Sequence, residues 1–264
     1  MKLKPALLAA TLSGLFASLA LAQTPPPAAA TPAAAAAPAA EPTPWSINAG
    51  VASSYIYRGL NQSGYKPALQ IGADYAHGSG FYVGVWGSSI SWIKDFRLGS
   101  GNVEFDVYGG YKGTAGPISY DVGVLQYLYN GSVSPGSIKA NTTEVYVAGT
   151  YEMLTLKYSH VLSNGIFAVP NAKNSGYLDL SATFPIIDNL ALNLHVGHQI
   201  VKNTGGLGSY TDGKAELAYD FGNGFALSGG ATGTDANKSF YTPLGKKFTG
   251  KTTPYALLKY TKAF

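Results

Sequence analysis

The sequence contains no cysteine, which excludes a disulfide framework, a thiolate metal site and a lipid-modified N-terminal cysteine. It has little charge: Asp, Glu, Lys and Arg supply only 12% of its 264 residues. The net charge is +4, and it falls to +2 if Lys2 and Lys4 are removed. With no strong field of one sign, nucleic acid is not an expected partner. Past residue 21 no apolar run approaches the roughly 20 residues that a membrane helix needs. Phosphate-cradling loops are missing, no cofactor is expected, and sustained helical periodicity is absent. A tyrosine- and glycine-rich chain of this kind points to an all-β protein.

The N-terminus is different. Met-Lys-Leu-Lys leads into an apolar stretch from Ala6 to Leu21 and a small-residue site at Ala20-Leu21-Ala22. This reads as a signal peptide over residues 1–22, too short and wrongly flanked for a membrane anchor. Residues 23–44 are a Pro/Ala tract that blocks helix and offers nothing to pack, so a disordered linker is expected. Residues 45–264 then form one domain.

Within that domain period-2 alternation recurs in about twelve segments, near 45–58, 66–77, 80–91, 102–112, 117–129, 143–152, 154–162, 175–185, 189–201, 210–221, 224–232 and 252–264. Long polar connections such as "NGSVSPGSIKANT" alternate with tight ones such as "HGSG" and "FGNG". Loops sorted by length in this way predict a transmembrane antiparallel β-barrel of about twelve strands, not a sandwich. One strand face is apolar, as in Leu69, Ile71 and Ala73, or Leu190, Leu192, Leu194 and Val196. The other is small, polar or charged, with Glu104, Asp106, Asp179, Lys214 and Glu216, and is expected to line a lumen. Trp45, Tyr75, Phe81, Tyr111, Tyr151, Phe184, Tyr219, Phe221, Phe225 and Phe264 fall on the apolar face beside the short turns, as an interfacial girdle would. Tyr55, Tyr57 and Tyr255 are assigned to the opposite girdle.

The run Ser54-Tyr55-Ile56-Tyr57-Arg58-Gly59, with Gln62-Ser63, Pro67-Ala68-Leu69-Gln70 and Gly80-Phe81-Tyr82-Val83-Gly84-Val85-Trp86-Gly87-Ser88, resembles the N-terminal hallmark of the TorF family of outer-membrane porins. The resemblance implies an outer-membrane barrel and a pore; it brings no established substrate and no catalytic residue. The final "KYTKAF", ending on Phe264, resembles the C-terminal signal read by the barrel-assembly machinery, with Lys262 departing from the usual pattern.

Arg58 is expected on the lumen face near the outward end of the first strand, paired with Glu104, Asp106 or Glu144 because an unpaired buried guanidinium is costly. Arg58, Glu104, Asp106, Glu144, Asp179, Lys214 and Glu216 are therefore the candidates for a constriction. His77-Gly78-Ser79 echoes the His-x-Ser spacing of an outer-membrane phospholipase but falls in a short turn, so no catalytic residue and no enzyme activity are assigned. His195 and His198, three apart on a strand, face opposite sides and cannot share a metal. The expected function is passive diffusion of small polar solutes through the outer membrane. The alternative is a closed structural or tethering barrel plugged by Tyr82, Trp86, Tyr108, Tyr127 and Tyr146. A basic rim of loop lysines is expected to meet lipopolysaccharide and other outer-membrane lipids.

Overall fold

A sheet whose strands alternate strictly over twelve segments can protect one face by curling until its two edges meet. That is the architecture of the chain, seen in a computed structural model that describes residues 44–242 and 252–264. The segments expected to be signal peptide and linker, up to residue 43, lie outside the described residues, as do the rim lysines Lys246, Lys247 and Lys251.

The strands are β1 (Trp45–Ala52), two short strands β2 (Ile56–Tyr57) and β3 (Leu60–Asn61), then β4 (Ala68–Ala76), β5 (Phe81–Ser89), β6 (Val103–Ala115), β7 (Ile118–Tyr129), β8 (Thr142–Tyr151), β9 (Leu154–Val161), β10 (Gly176–Ile187), β11 (Leu190–Ile200), β12 (Tyr210–Gly222), β13 (Phe225–Thr234) and β14 (Thr253–Ala263). All but β2 and β3 join one closed antiparallel barrel of twelve strands, in which each strand pairs with its neighbours in sequence. Closure comes from β1 against β14, with Ser46 opposite Ala263 and the Phe264 amide donating to the Trp45 carbonyl at 3.0 Å. The barrel leaves no free edge for another chain to extend.

Turns at 77–80, 116–117, 152–153, 188–189 and 223–224 share one end with both termini of the barrel. The long connections 53–67, 90–102, 130–141, 162–175, 201–209 and 235–252 share the other. The outward face is apolar, and residues such as Leu69 and Ile71 are about two-thirds exposed (68% and 67%). Such a surface is stable only against lipid. The girdle beside the short turns is present: Trp45 packs on Tyr75 at 4.8 Å between centroids, Phe81 on Tyr111 at 5.0 Å, and Phe225 on Tyr260 at 4.7 Å.

Inside, aromatic rings lie against glycines of the neighbouring strand. Trp86 pairs with Gly72, Tyr82 with Gly110 and Tyr146 with Gly123. A Cβ at Gly110 would sit 2.7 Å from the Tyr82 hydroxyl, and one at Gly123 would sit 2.6 Å from that of Tyr146. Glycine therefore lets each ring settle along the wall.

One expected element is wrong. The segment 45–58 is not a single strand: the wall strand stops at Ala52, and residues 54–63 are all buried. The chain turns into the lumen as a β2–β3 hairpin, with Ile56 opposite Asn61 and Tyr57 opposite Leu60. Its two-residue tip is Arg58-Gly59, with φ of 45° and 74°. Two successive positive φ values are what a tight hairpin turn requires, and Gly59 takes the second without strain.

Candidate functional site

The hairpin is clamped at its tip. Arg58 Nη1 donates to Glu144 Oε1 at 2.9 Å and Nη2 to Glu144 Oε2 at 2.7 Å, a two-pronged contact across the barrel. Nη1 also donates to Gln199 Oε1 at 2.9 Å, and the Gln199 amide is oriented by donating to the Gly176 carbonyl at 3.0 Å. The guanidinium carbon stands 4.2 Å from the Tyr177 ring centre and 4.9 Å from that of Tyr57. Arg58 is 7% exposed and Glu144 1%. A charge this deep is tolerable only because its carboxylate partner, a second acceptor and two aromatic faces stand in for water.

The rest of the hairpin is fixed by polar contacts along its length. Tyr55 donates its hydroxyl to Glu104 Oε1 at 2.7 Å, and the Tyr57 and Tyr127 hydroxyls bond each other at 2.5 Å. Asn61 Oδ1 accepts from the Ser63 and Tyr65 amides at 3.1 and 2.9 Å, and Gln62 N donates to the Tyr55 carbonyl at 2.7 Å. Above it, Phe167 packs edge-on to Tyr57 and Tyr127, and the Ser91 and Trp92 amides donate to the Gln62 carbonyl. The long loops and the hairpin thus form an aromatic core that packs the long-loop half of the barrel.

Tyr55 and Tyr57, expected in an outer aromatic girdle, are lumen residues 0% and 7% exposed. The correction has a simple cause: once the strand ends at Ala52, alternation no longer reports which side of the wall a residue faces. Tyr255 is corrected as well. It is buried, and its hydroxyl donates to Glu216 Oε2 at 2.6 Å. Arg58 does lie in the lumen, but on the hairpin tip and not on β1.

The remaining candidates fall into three groups. Glu216 accepts from Tyr255 and from Asn193 Nδ2 at 3.2 Å, within a buried network that reaches Thr183. Asp179 stands 2.6 Å from His195 Nδ1, and Asp212 stands 2.8 Å from His195 Nε2 and accepts from the Tyr177 hydroxyl at 2.8 Å. With both ring nitrogens facing carboxylates, both are placed to donate, which makes the imidazole a cationic brace across β10, β11 and β12. Lys214, half-buried, pairs in register with His195 and Thr232 on the same inner face. Asp106 stands apart: it is 0% exposed, and neither carboxylate oxygen has a hydrogen-bond partner.

Toward the short turns the lumen opens. Asp74, Lys112, Asp121, Lys157 and Lys259 are partly exposed and alternate in sign. Tyr108 donates to Asp74 at 2.5 Å and Tyr82 to Asp121 at 2.6 Å, while Lys112 and Lys157 stand 4.9 and 4.1 Å from the Tyr82 and Tyr146 ring centres. Sequence reading missed the roles of His195, Gln199 and Lys259. Period 2 could have placed each on the inner face, but nothing in the sequence says which strands face each other across a lumen. His77 and Ser79 meet at 2.6 Å in an exposed short turn, at the end opposite the hairpin.

Several solved structures share this fold. The KdgM porin matches with a TM-score of 0.52 at 9% identity, over 81% of this chain and 98% of its own. KdgM solved in complex with disordered oligogalacturonate matches with a TM-score of 0.52 at 10% identity, over the same shares of the two chains. The NanC porin matches with a TM-score of 0.54 at 11% identity, over 83% of this chain and 99% of its own. These likenesses concern the fold alone. No curated protein matches the chain in sequence. Residues 36–264 match the model of a family described as bacterial protein of unknown function, Gcw_chp, and the chain belongs to that family.

Proposed function

We propose that the protein is an outer-membrane channel of the porin type, through which small polar solutes diffuse passively, with the Arg58 hairpin as its constriction. In this reading the long loops face the cell exterior, the short turns face the periplasm, residues 1–22 direct export and residues 23–44 act as a spacer. Phe264 then serves the barrel-assembly machinery, and the exposed Lys66, Lys94, Arg97, Lys139, Lys173, Lys202 and Lys238 at the long-loop end meet lipopolysaccharide phosphates.

One observation carries the reading. The lumen is narrowed by a folded-in loop segment held through hydrogen bonds and one ion pair, while several of the wall's own rings lie over glycines of the neighbouring strand. A barrel built only to be closed could fill its interior from the wall, as eight-stranded barrels do. The polar lining also bears on the solute. Eight carboxylates (Asp74, Glu104, Asp106, Asp121, Glu144, Asp179, Asp212 and Glu216) face Arg58, Lys112, Lys157, Lys214, Lys259 and His195. KdgM has been captured with oligogalacturonate, a polyanion; the acidic balance here argues instead for solutes that carry an ammonium group, zwitterions included.

Planar-bilayer recording tests the proposal. The wild type should show small single-channel steps, and removal of residues 55–63 should enlarge them. If neither form conducts, the protein is the closed structural or tethering barrel.

A further inference from the structure

We infer that Asp106 anchors a subsite for a small organic ammonium group, an inference that rests on the channel reading above and names the solute chemistry it favours. Asp106 is 0% exposed and both its oxygens lack a hydrogen-bond partner. A carboxylate out of water and without donors is costly, so this position is incomplete by itself.

Most donors around it have partners elsewhere, and Arg58 Nε and Gln70 Nε2, buried and likewise without an acceptor, do not bond to it. Tyr55 donates to Glu104, Tyr108 donates to Asp74, and the Tyr57 and Tyr127 hydroxyls bond each other. Arg58 spends its Nη atoms on Glu144 and Gln199. Glu104, Asp106 and Glu144 stand here against Arg58 and, toward the short turns, Lys157, so a group bringing its own N–H donors and a positive charge suits Asp106 better than a neutral or negative one.

The neighbours select the kind of cation. Register places Trp86 on β5 and Tyr127 on β7 directly beside Asp106, with Tyr108 two residues along its own strand. Aromatic rings suit an organic cation, whose N–H groups the carboxylate accepts and whose carbons and diffuse charge the rings receive. A hard metal ion asks for several oxygen ligands converging on one point. Among the described residues no group of three or more His, Cys, Asp or Glu is arranged that way. Asp106 also sits at the foot of the loop-packed half, next to Tyr108, whose other neighbour Asp74 is partly exposed toward the short turns. Asp106 is closed to solvent, so an amine arriving from the wetter end must move the neighbouring rings aside, not the hairpin.

The test is isothermal titration of the folded full-length protein in detergent with n-propylammonium chloride, against sodium chloride at equal ionic strength and 1-propanol as the uncharged analogue. The wild type should give saturable heat with propylammonium only, Asp106→Asn should weaken binding at least tenfold, and Asp106→Glu should retain it. Equal responses to propylammonium and sodium in the wild type overturn the inference without any variant having to fold. So does unchanged binding in folded Asp106→Asn. Conductance, measured separately, distinguishes the two readings. A barrel that conducts but does not bind the amine sinks the subsite alone, and one that binds the amine without conducting sinks the channel alone.

Discussion

Arg58 and Glu144, 86 positions apart in sequence, meet across the lumen in a two-pronged contact of 2.9 and 2.7 Å, the ion pair that seats the hairpin tip. Removing one member of a buried pair typically costs about 3–5 kcal/mol, because the other charge is left unpaired. Here the hairpin can escape that cost by leaving the lumen while the barrel stays closed. Arg58→Ala should therefore keep a folded barrel, speed amide exchange over residues 53–67 and raise conductance. Arg58→Lys should not restore the wild type, since an ammonium cannot make the paired contact. If Arg58→Ala leaves both exchange and conductance unchanged, the pair does not hold the hairpin.

A second prediction separates backbone strain from crowding. A Cβ at Gly59 would stand 2.5 Å from the Asp212 Cβ, with φ at +74°. At Gly116 φ is +60° with nothing within 4 Å. Alanine at Gly116 should cost only the strain, about 1 kcal/mol. Alanine at Gly59 should in addition unseat the tip and reproduce the open phenotype of Arg58→Ala. Equal, mild behaviour of the two variants in conductance would show that the tip does not press on β12.

The wall itself can be probed by two neighbours on β10. Leu180 is exposed to lipid near mid-strand, and Ser181 faces the lumen beside His195. Leu180→Arg should cost about 2–4 kcal/mol and lower the yield of assembled barrel. Ser181→Arg should assemble. Heat-dependent gel migration of the two variants measures the difference, and equal assembly would mean that the inner and outer faces are reversed.

These sites differ in how far the sequence announces them. Alternation in Leu69, Ile71 and Ala73, or in Leu178, Leu180 and Ala182, reports a lipid-facing wall directly, because one solvent meets every such residue. Loop lengths then sort the two ends. The hairpin was illegible for the same physical reason. Past Ala52 the pattern of apolar residues continues, but the surface that buries Tyr55 and Tyr57 is the far side of the lumen, supplied by Glu104, Tyr127 and Glu144. The one local cue was Arg58-Gly59 between Ile56-Tyr57 and Leu60-Asn61, a two-residue hairpin signature with an arginine where Asn or Asp is usual. Contacts such as Arg58 with Glu144 across the lumen, or His195 between Asp179 and Asp212 on its two neighbouring strands, depend on closure and register, which no short stretch of sequence encodes.

Orientation gives a fourth prediction. The chain has no cysteine, so a single introduced thiol reports one position cleanly. Lys139 lies exposed in the long connection 130–141, and Pro117 lies exposed in a short turn. Lys139→Cys should react with a membrane-impermeant maleimide on intact cells, and Pro117→Cys only after the outer membrane is broken. The opposite pattern would invert the barrel.

The last prediction concerns the throat. The seven described rim cations at the long-loop end are exposed, so at moderate ionic strength salt screens them within roughly 8–10 Å. The lumen charges are buried or half-buried and are screened much less. Selectivity should therefore follow the acidic lining and not the basic mouth: reversal potentials in a salt gradient should show cation preference, strengthening as salt is raised and the rim fades. Replacing Glu104 and Asp106 by glutamine and asparagine should weaken that preference, because both are buried on the inner face and Glu104 meets the hairpin's Tyr55. Strong anion selectivity that survives the double replacement would put the constriction elsewhere, with the partly exposed ring of Lys112, Lys157 and Lys259 as the next place to look.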